Sequence, residues 1–335
     1  MTIRTSLTAA LLALGLIASA PQGAEAQSTH QLKMGTFSAS NSPWADAMRE
    51  FSRLVEERTD GRIEVEIYTD GQLGDMQQLL AGMQLGTIEM AYFDIAVATF
   101  LSGAQELKVV ITPYLFETRE DAGRVLNSEL FHGIYERVAE NTGVRIIGAY
   151  GNRSPRAIQT VEGPIEKPGD LEGLRMRVPG IDVYERTFET LGAQVTPLGM
   201  TEIYTALSRG VVDGQDNGFD LSLPMKFHEV AKHWSATDHV YSVTGWYIAE
   251  SVWQSLGEED RAIMQEAARE AGELASQAMI DLEAEALEIL EEAGATYTVP
   301  DREAFREALS DLHLEFEGET WPEGLVDQIR SLQAE

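Results

Sequence analysis

Six histidines, His30, His132, His228, His233, His239 and His313, are the first residues to weigh for catalysis or metal binding. None forms an H-E-x-x-H pair or another familiar metal-ligand spacing, and His228 and His233, five residues apart, do not share a helical face. They read as surface or hydrogen-bonded histidines. The chain has no cysteine, which excludes disulfides, thiolate metal sites, a cysteine nucleophile and a lipidated cysteine anchor. No G-x-S-x-G elbow, G-x-G-x-x-G turn or phosphate loop occurs. Serine, histidine and aspartate are plentiful, but no spacing brings a triad together. These residues point away from an enzyme, and no cofactor is implied. Asp and Glu number 55 against 25 Lys and Arg, a net charge of −30. Such a chain repels nucleic-acid phosphates and anionic membranes.

The elements that must position any site begin after a leader. Arg4, the apolar run Leu7 to Ala20 and the Ala24-Glu25-Ala26 cleavage pattern read as a signal peptide over residues 1–26, so the mature chain starts near Gln27. No later stretch is long and apolar enough to anchor the product, which is expected to be a soluble periplasmic protein. With 335 residues and 44% hydrophobic content the chain is long enough for about two packed domains.

Strand and helix patterns alternate along it. Residues 31–37 alternate as a strand, Ser42-Pro43 opens a helix that Thr59-Asp60-Gly61 ends, and 62–68 (RIEVEIY) alternates cleanly again. Asp75 caps a helix through Leu85, and 88–92 returns as a strand. Strands are expected also at 144–149, 175–178 and 241–249, with helices at 182–191 and 202–208. Val211-Val212 reads as a brief strand, followed by a polar loop, Asp213-Gly214-Gln215-Asp216-Asn217-Gly218. From Glu258 to Ala293 helical spacing runs unbroken by proline, about 50 Å at 1.5 Å per residue. That suits one helix bridging two lobes, or two helices meeting near Gly272. The pattern predicts an α/β fold of two lobes, each a mixed sheet flanked by helices.

One region carries a resemblance. Asp170-Leu171-Glu172-Gly173-Leu174-Arg175-Met176-Arg177-Val178-Pro179, then Leu191-Gly192-Ala193, Glu202-Ile203-Tyr204-Thr205-Ala206-Leu207 and Gly210-Val211-Val212-Asp213-Gly214-Gln215-Asp216-Asn217 stand in order. With Gly71-Gln72-Leu73-Gly74, Gly86-Thr87-Ile88-Glu89-Met90 and Pro113-Tyr114-Leu115-Phe116 they resemble the solute-binding receptors of tripartite ATP-independent periplasmic (TRAP) transporters, the DctP family. The resemblance implies a two-lobed receptor that closes over its solute and delivers it to an ion-gradient-driven membrane permease. It places lobe I at 27–152 plus 243–282 and lobe II at 153–242 plus 283–335, with the cleft between. Such a receptor is expected to work as a monomer; no nucleic acid and no stable membrane anchor are expected.

The same resemblance assigns the site. Arg177 is the arginine that pairs with the solute carboxylate, for which a guanidinium offers parallel N–H donors and a permanent charge. A second anion contact falls on Arg156 or Arg153. Spacing from Pro164 and Arg177 favours Arg156, leaving Arg153 structural. Asn217 is implied as a ligand whose amide donates to or accepts from the solute, or else a turn former. Asp94 either accepts from solute hydroxyls or caps the segment from Ile95. Trp44 is the aromatic best placed to touch the solute. Gly218 replaces a proline common after the asparagine, Met200 stands where sialic-acid receptors carry a ring-packing phenylalanine, and Asp216-Asn217 does not match the loop of metal-dependent members, so no metal is expected. The implied solute is a small organic acid anion, a hydroxylated monocarboxylate such as a sugar acid. A C4-dicarboxylate receptor, a solute sensor for a membrane kinase and, last, a periplasmic lyase or isomerase are the alternatives.

Overall fold

The structure, a computed structural model, describes residues 30–334; the leader expected at 1–26 lies outside them. Among the described residues eleven strands form two sheets. They are β1 (His30–Gly35), β2 (Ile63–Tyr68), β3 (Met90–Asp94), β4 (Val144–Gly148), β5 (Ala157–Thr160), β6 (Arg175–Val178), β7 (Gln194–Pro197), β8 (Gly214–Asn217), β9 (His233–Ser235), β10 (Thr244–Ala249) and β11 (Thr296–Thr298). The first sheet runs β2-β1-β3-β10-β4, with β1 parallel to both neighbours and β10 antiparallel to β3 and β4. The second runs β11-β9-β5-β8-β6-β7, with β5 antiparallel to β8 and β9 and β6 parallel to β7 and β8.

Local chemistry explains the first sheet. Ser42 Oγ accepts from the Ala45 amide and Pro43 sits in the first turn, starting the helix Pro43–Arg58. Its buried face, with Ala47, Met48, Phe51, Leu54 and Val55, packs on the sheet. In β2, Ile63 and Val65 point inward and Glu64 and Glu66 outward, the alternation read from the sequence. Asp75 and Gln78 exchange side-chain-to-backbone bonds in a capping box, and Gly86 in the left-handed region (φ 70°) ends that helix.

The chain passes between the sheets twice in short strand-like segments, after β4 and before β10. The helix Glu258–Glu292 is continuous, so Gly272 does not divide it. Instead Gly272 lets the helix approach the crossover closely: a Cβ there would lie 2.3 Å from Tyr150 Cβ. The helix packs first on Pro43–Arg58 and β4, and further on against Phe219–Ser222 and β11, touching both sheets. The last helix, Leu325–Gln333, packs on Arg119–Val125, and the Gln333 amide bonds the backbone at Leu115 and Glu117.

Two expectations need correction. The polar run after Val212 is not a loop: Gly214–Asn217 is strand β8, central in the second sheet, and Val211-Val212 is not strand. Polarity misled because Gln215, Asp216 and Asn217 are buried and each side chain holds at least one hydrogen-bond partner on the protein. Strands β5, β7, β9 and β11 were not expected either; each has three or four residues, too short for alternation to register.

Candidate functional site

A cavity lies where the two sheets face each other. Phe37, Met76, Asp94 and the turn Ile95–Phe100 line it from the first sheet's side. Arg177, Pro179, Ile181, Tyr184, Met200, Asn217 and Leu221 line it from the second, and Arg153 and Arg156 enter from the crossover. Its volume is about 30 Å³, room for water-sized groups.

The three arginines are all buried and differ in their partners. Arg153 donates from Nε to Asp220 Oδ2 at 2.7 Å and from Nη1 to Asp94 Oδ2, and its guanidinium lies 5.1 Å from the Trp44 ring centre. Burial alone would lower its pKa, but Asp220 and Asp94 together raise it. Arg156 donates from Nε to Asp216 Oδ2 at 2.6 Å and from Nη2 to the Asp216 carbonyl at 2.7 Å, stacked over Tyr184 at 4.6 Å. Asp216 also meets His239 Nε2 at 3.3 Å. Burial works to raise the Asp216 pKa, yet Arg156 and His239 hold it well below its ordinary value.

Arg177 has no such carboxylate. Nε and Nη2 both donate to the Leu198 carbonyl, at 2.9 and 2.5 Å, while Nη1 is buried without a partner. Burial pulls its pKa down to about 10, with Asp216 opposing and Arg156 adding to the shift. The group stays charged at neutral pH, a desolvated cation whose terminal Nη1/Nη2 edge is available to an anion.

Beside it stands a row of amides. Register places Arg177 of β6 beside Gln215 of β8, and Gln215 opposite Gln159 of β5. Gln159 Nε2 donates to the Asn217 carbonyl (2.9 Å), Gln215 Nε2 donates to Gln159 Oε1 (2.6 Å), and Asn217 Nδ2 donates to Gln215 Oε1 (2.7 Å). Asn217 Oδ1 is buried and unpartnered.

Five of the six expected site residues therefore gather at or in the cavity wall: Arg177, Arg156, Asn217, Asp94 and the alternative Arg153. Trp44 is not among the lining residues; it packs edge-on to Phe37 and Tyr92 beneath Arg153. Asp94 does both things one carboxylate can do locally, with Oδ1 capping Ala96 N and Oδ2 accepting from Arg153 and Ser242. Sequence reasoning missed Tyr184, Asp220 and the Gln159–Gln215 pair. The only advance signal was the polar 213–218 run itself, misassigned to a loop. A larger groove of about 490 Å³ runs along edge strand β4, but its cations are spoken for: Arg145 by Glu136 and Glu250, Arg269 by Glu266 and Glu273.

Comparison with known proteins agrees with this geometry. Residues 34–319 match the family model described as bacterial extracellular solute-binding protein, family 7. A solute-binding protein of Roseobacter denitrificans is 33% identical over 90% of this chain and 91% of its own. Its crystal structure, solved with bound L-galactonate, superposes with a TM-score of 0.83 at 32% identity, covering 91% and 99% of the two chains. The sialic acid-binding periplasmic protein of Vibrio cholerae is 29% identical over 93% of this chain and 94% of its own. Two facing sheets joined by crossovers, with a buried cation in the cleft, define a two-lobed solute receptor. The chain belongs to the DctP family of solute-binding proteins, whose members are receptors of TRAP transporters and not enzymes.

Proposed function

We propose that this protein is the periplasmic receptor of a TRAP transporter for a small hydroxylated monocarboxylate of the sugar-acid class, which it hands to the membrane permease. The observation that carries this reading is Arg177, a fully buried cation with a free donor edge and no carboxylate partner. Charge counting supports one carboxylate rather than two. Arg156 is balanced by Asp216, Arg153 faces both Asp94 and Asp220, and of the three arginines Arg177 alone has no carboxylate partner. A dicarboxylate would push its second charge toward the acid-rich Arg153 group. Galactonate in the Roseobacter relative fits the same chemistry.

The solute sits between lobe I (27–152 plus 243–282) and lobe II (153–242 plus 283–335), with the last helix returning to pack on Arg119–Val125. A cavity of about 30 Å³ is too small for a six-carbon acid, so loading requires the walls to part and Met76 and Met200 to repack. The receptor works as a monomer. Among the described residues no helix is long and apolar enough to cross a membrane. Native mass spectrometry of the purified mature chain, followed by calorimetric titration of aldonates, uronates and C4-dicarboxylates, tests the reading. Sugar acids binding at micromolar or better affinity, with a one-to-one complex, is the expected result. Binding of dicarboxylates alone, or of no organic acid, would overturn it.

A further inference from the structure

We infer that the amide relay Gln159–Gln215–Asn217 selects acids that carry a hydroxyl beside the carboxylate over their 2-oxo and 2-deoxy counterparts; this rests on the carboxylate-receptor reading above. An amide side chain is a donor at one end and an acceptor at the other, and its orientation follows from its neighbours. Here one group sets all three. The backbone carbonyl of Asn217 can only accept, so Gln159 must turn Nε2 toward it. Gln159 Oε1 then faces Gln215 and must receive Nε2 of that residue. Gln215 Oε1 in turn receives Asn217 Nδ2. Flipping any one amide would set two oxygens, or two N–H groups, against each other at 2.6–2.9 Å. The relay therefore ends with Asn217 Oδ1 as the free atom: a fixed acceptor, fully buried, on a residue that lines the cavity.

Two polar atoms of the cavity's second-sheet wall are thus buried without a protein partner and of opposite kind. Arg177 Nη1 is a donor and Asn217 Oδ1 an acceptor. They belong to neighbouring strands, since Arg177 stands beside Gln215 and Asn217 follows two residues on along the same strand face. A carboxylate satisfies Nη1. The group next to it must donate to satisfy Oδ1. A 2-hydroxyl does so; a 2-oxo group sets oxygen against oxygen, and a 2-methylene leaves the buried acceptor unpaired, which is costly in a desolvated site.

The test uses the mature protein and two matched series whose oxo members cannot close to a ring hemiketal, glycerate with hydroxypyruvate and 3-hydroxypropionate, and lactate with pyruvate and propionate, titrated calorimetrically. The hydroxy acid is expected to bind at least about tenfold tighter than either counterpart in each series that binds. Gln159→Met removes the anchor of the relay. Gln215 can then turn Oε1 to the Ser222 hydroxyl, now 3.4 Å from Nε2, and present Nε2 to Asn217. Asn217 would offer Nδ2 instead, so the hydroxy-to-oxo ratio should fall below about threefold or invert while carboxylate binding persists. If no hydroxy acid of either series binds more tightly than its oxo counterpart in the parent protein, the inference is wrong, whether or not Gln159→Met folds. If aldonates and oxo-acids bind equally well, the inference fails alone and the receptor reading stands. If the dicarboxylates of the wider screen bind and these acids do not, both fail. A ratio unchanged in a folded Gln159→Met protein would also overturn the relay.

Discussion

Replacing Arg177 by lysine keeps a positive charge and removes the planar fork. In the parent, one edge of the guanidinium holds the Leu198 carbonyl through Nε and Nη2, which orients the opposite edge toward the cavity. A single ammonium can serve the carbonyl or the solute, not both with fixed geometry. The loss is at least one charge-assisted hydrogen bond in a buried site, about 1.5–3 kcal/mol, or roughly 10- to 150-fold in affinity. Stability should hardly change. The parent already carries the cost of a buried cation without a carboxylate, and a lysine there faces a similar cost. Isothermal titration against the tightest ligand of the screen, with a thermal midpoint measured on the same samples, separates the two effects. Arg153→Lys is the control. Arg153 is held by Asp94 and Asp220, so that variant should lose more stability than affinity. An Arg177→Lys protein that binds within threefold of the parent, or a drop at Arg153 equal to that at Arg177, would show that the anion sits elsewhere.

Asp94→Asn keeps a side-chain oxygen to cap Ala96 but weakens the Arg153 pair; with Asp220 still in place, chemical denaturation should show a loss near the low end for a broken buried pair, about 3 kcal/mol, and a changed order of preference among hydroxylated acids. Asp216 has a depressed pKa, so its stabilisation is fully present above the ordinary value of 3.8 and lost as pH falls through the lower folded value. Asp216→Asn should therefore be less stable than the parent at pH 5–7, and its denaturation midpoint should fall less steeply between pH 4 and 2. Gly272→Ala gains about 1 kcal/mol of helix propensity but drives a Cβ to 2.3 Å from Tyr150 Cβ; a net loss of about 1–2 kcal/mol is expected, read as a lowered thermal midpoint, and an unchanged midpoint would mean the helix slides freely over the crossover.

The sequence alone determined what local rules govern. The Ser42-Pro43 helix start, the Asp75 cap, the alternation of Ile63 to Tyr68 and the unbroken helix from Glu258 all rest on residues within one or two turns of each other. The ordered motif through Arg177 and Asn217 marked the right family and put both residues in one cavity wall. The tertiary structure decided what depends on partners far along the chain. Which arginines already hold a carboxylate turns on residues about 60 positions away: Asp94 for Arg153, Asp216 for Arg156, none for Arg177. The polar 213–218 run read as a solvated loop because its hydrogen-bond partners, Gln159, Arg156 and His239, lie on other elements. A buried polar strand costs too much without those partners and is stable with them, and only the packing of the second sheet brings them into reach.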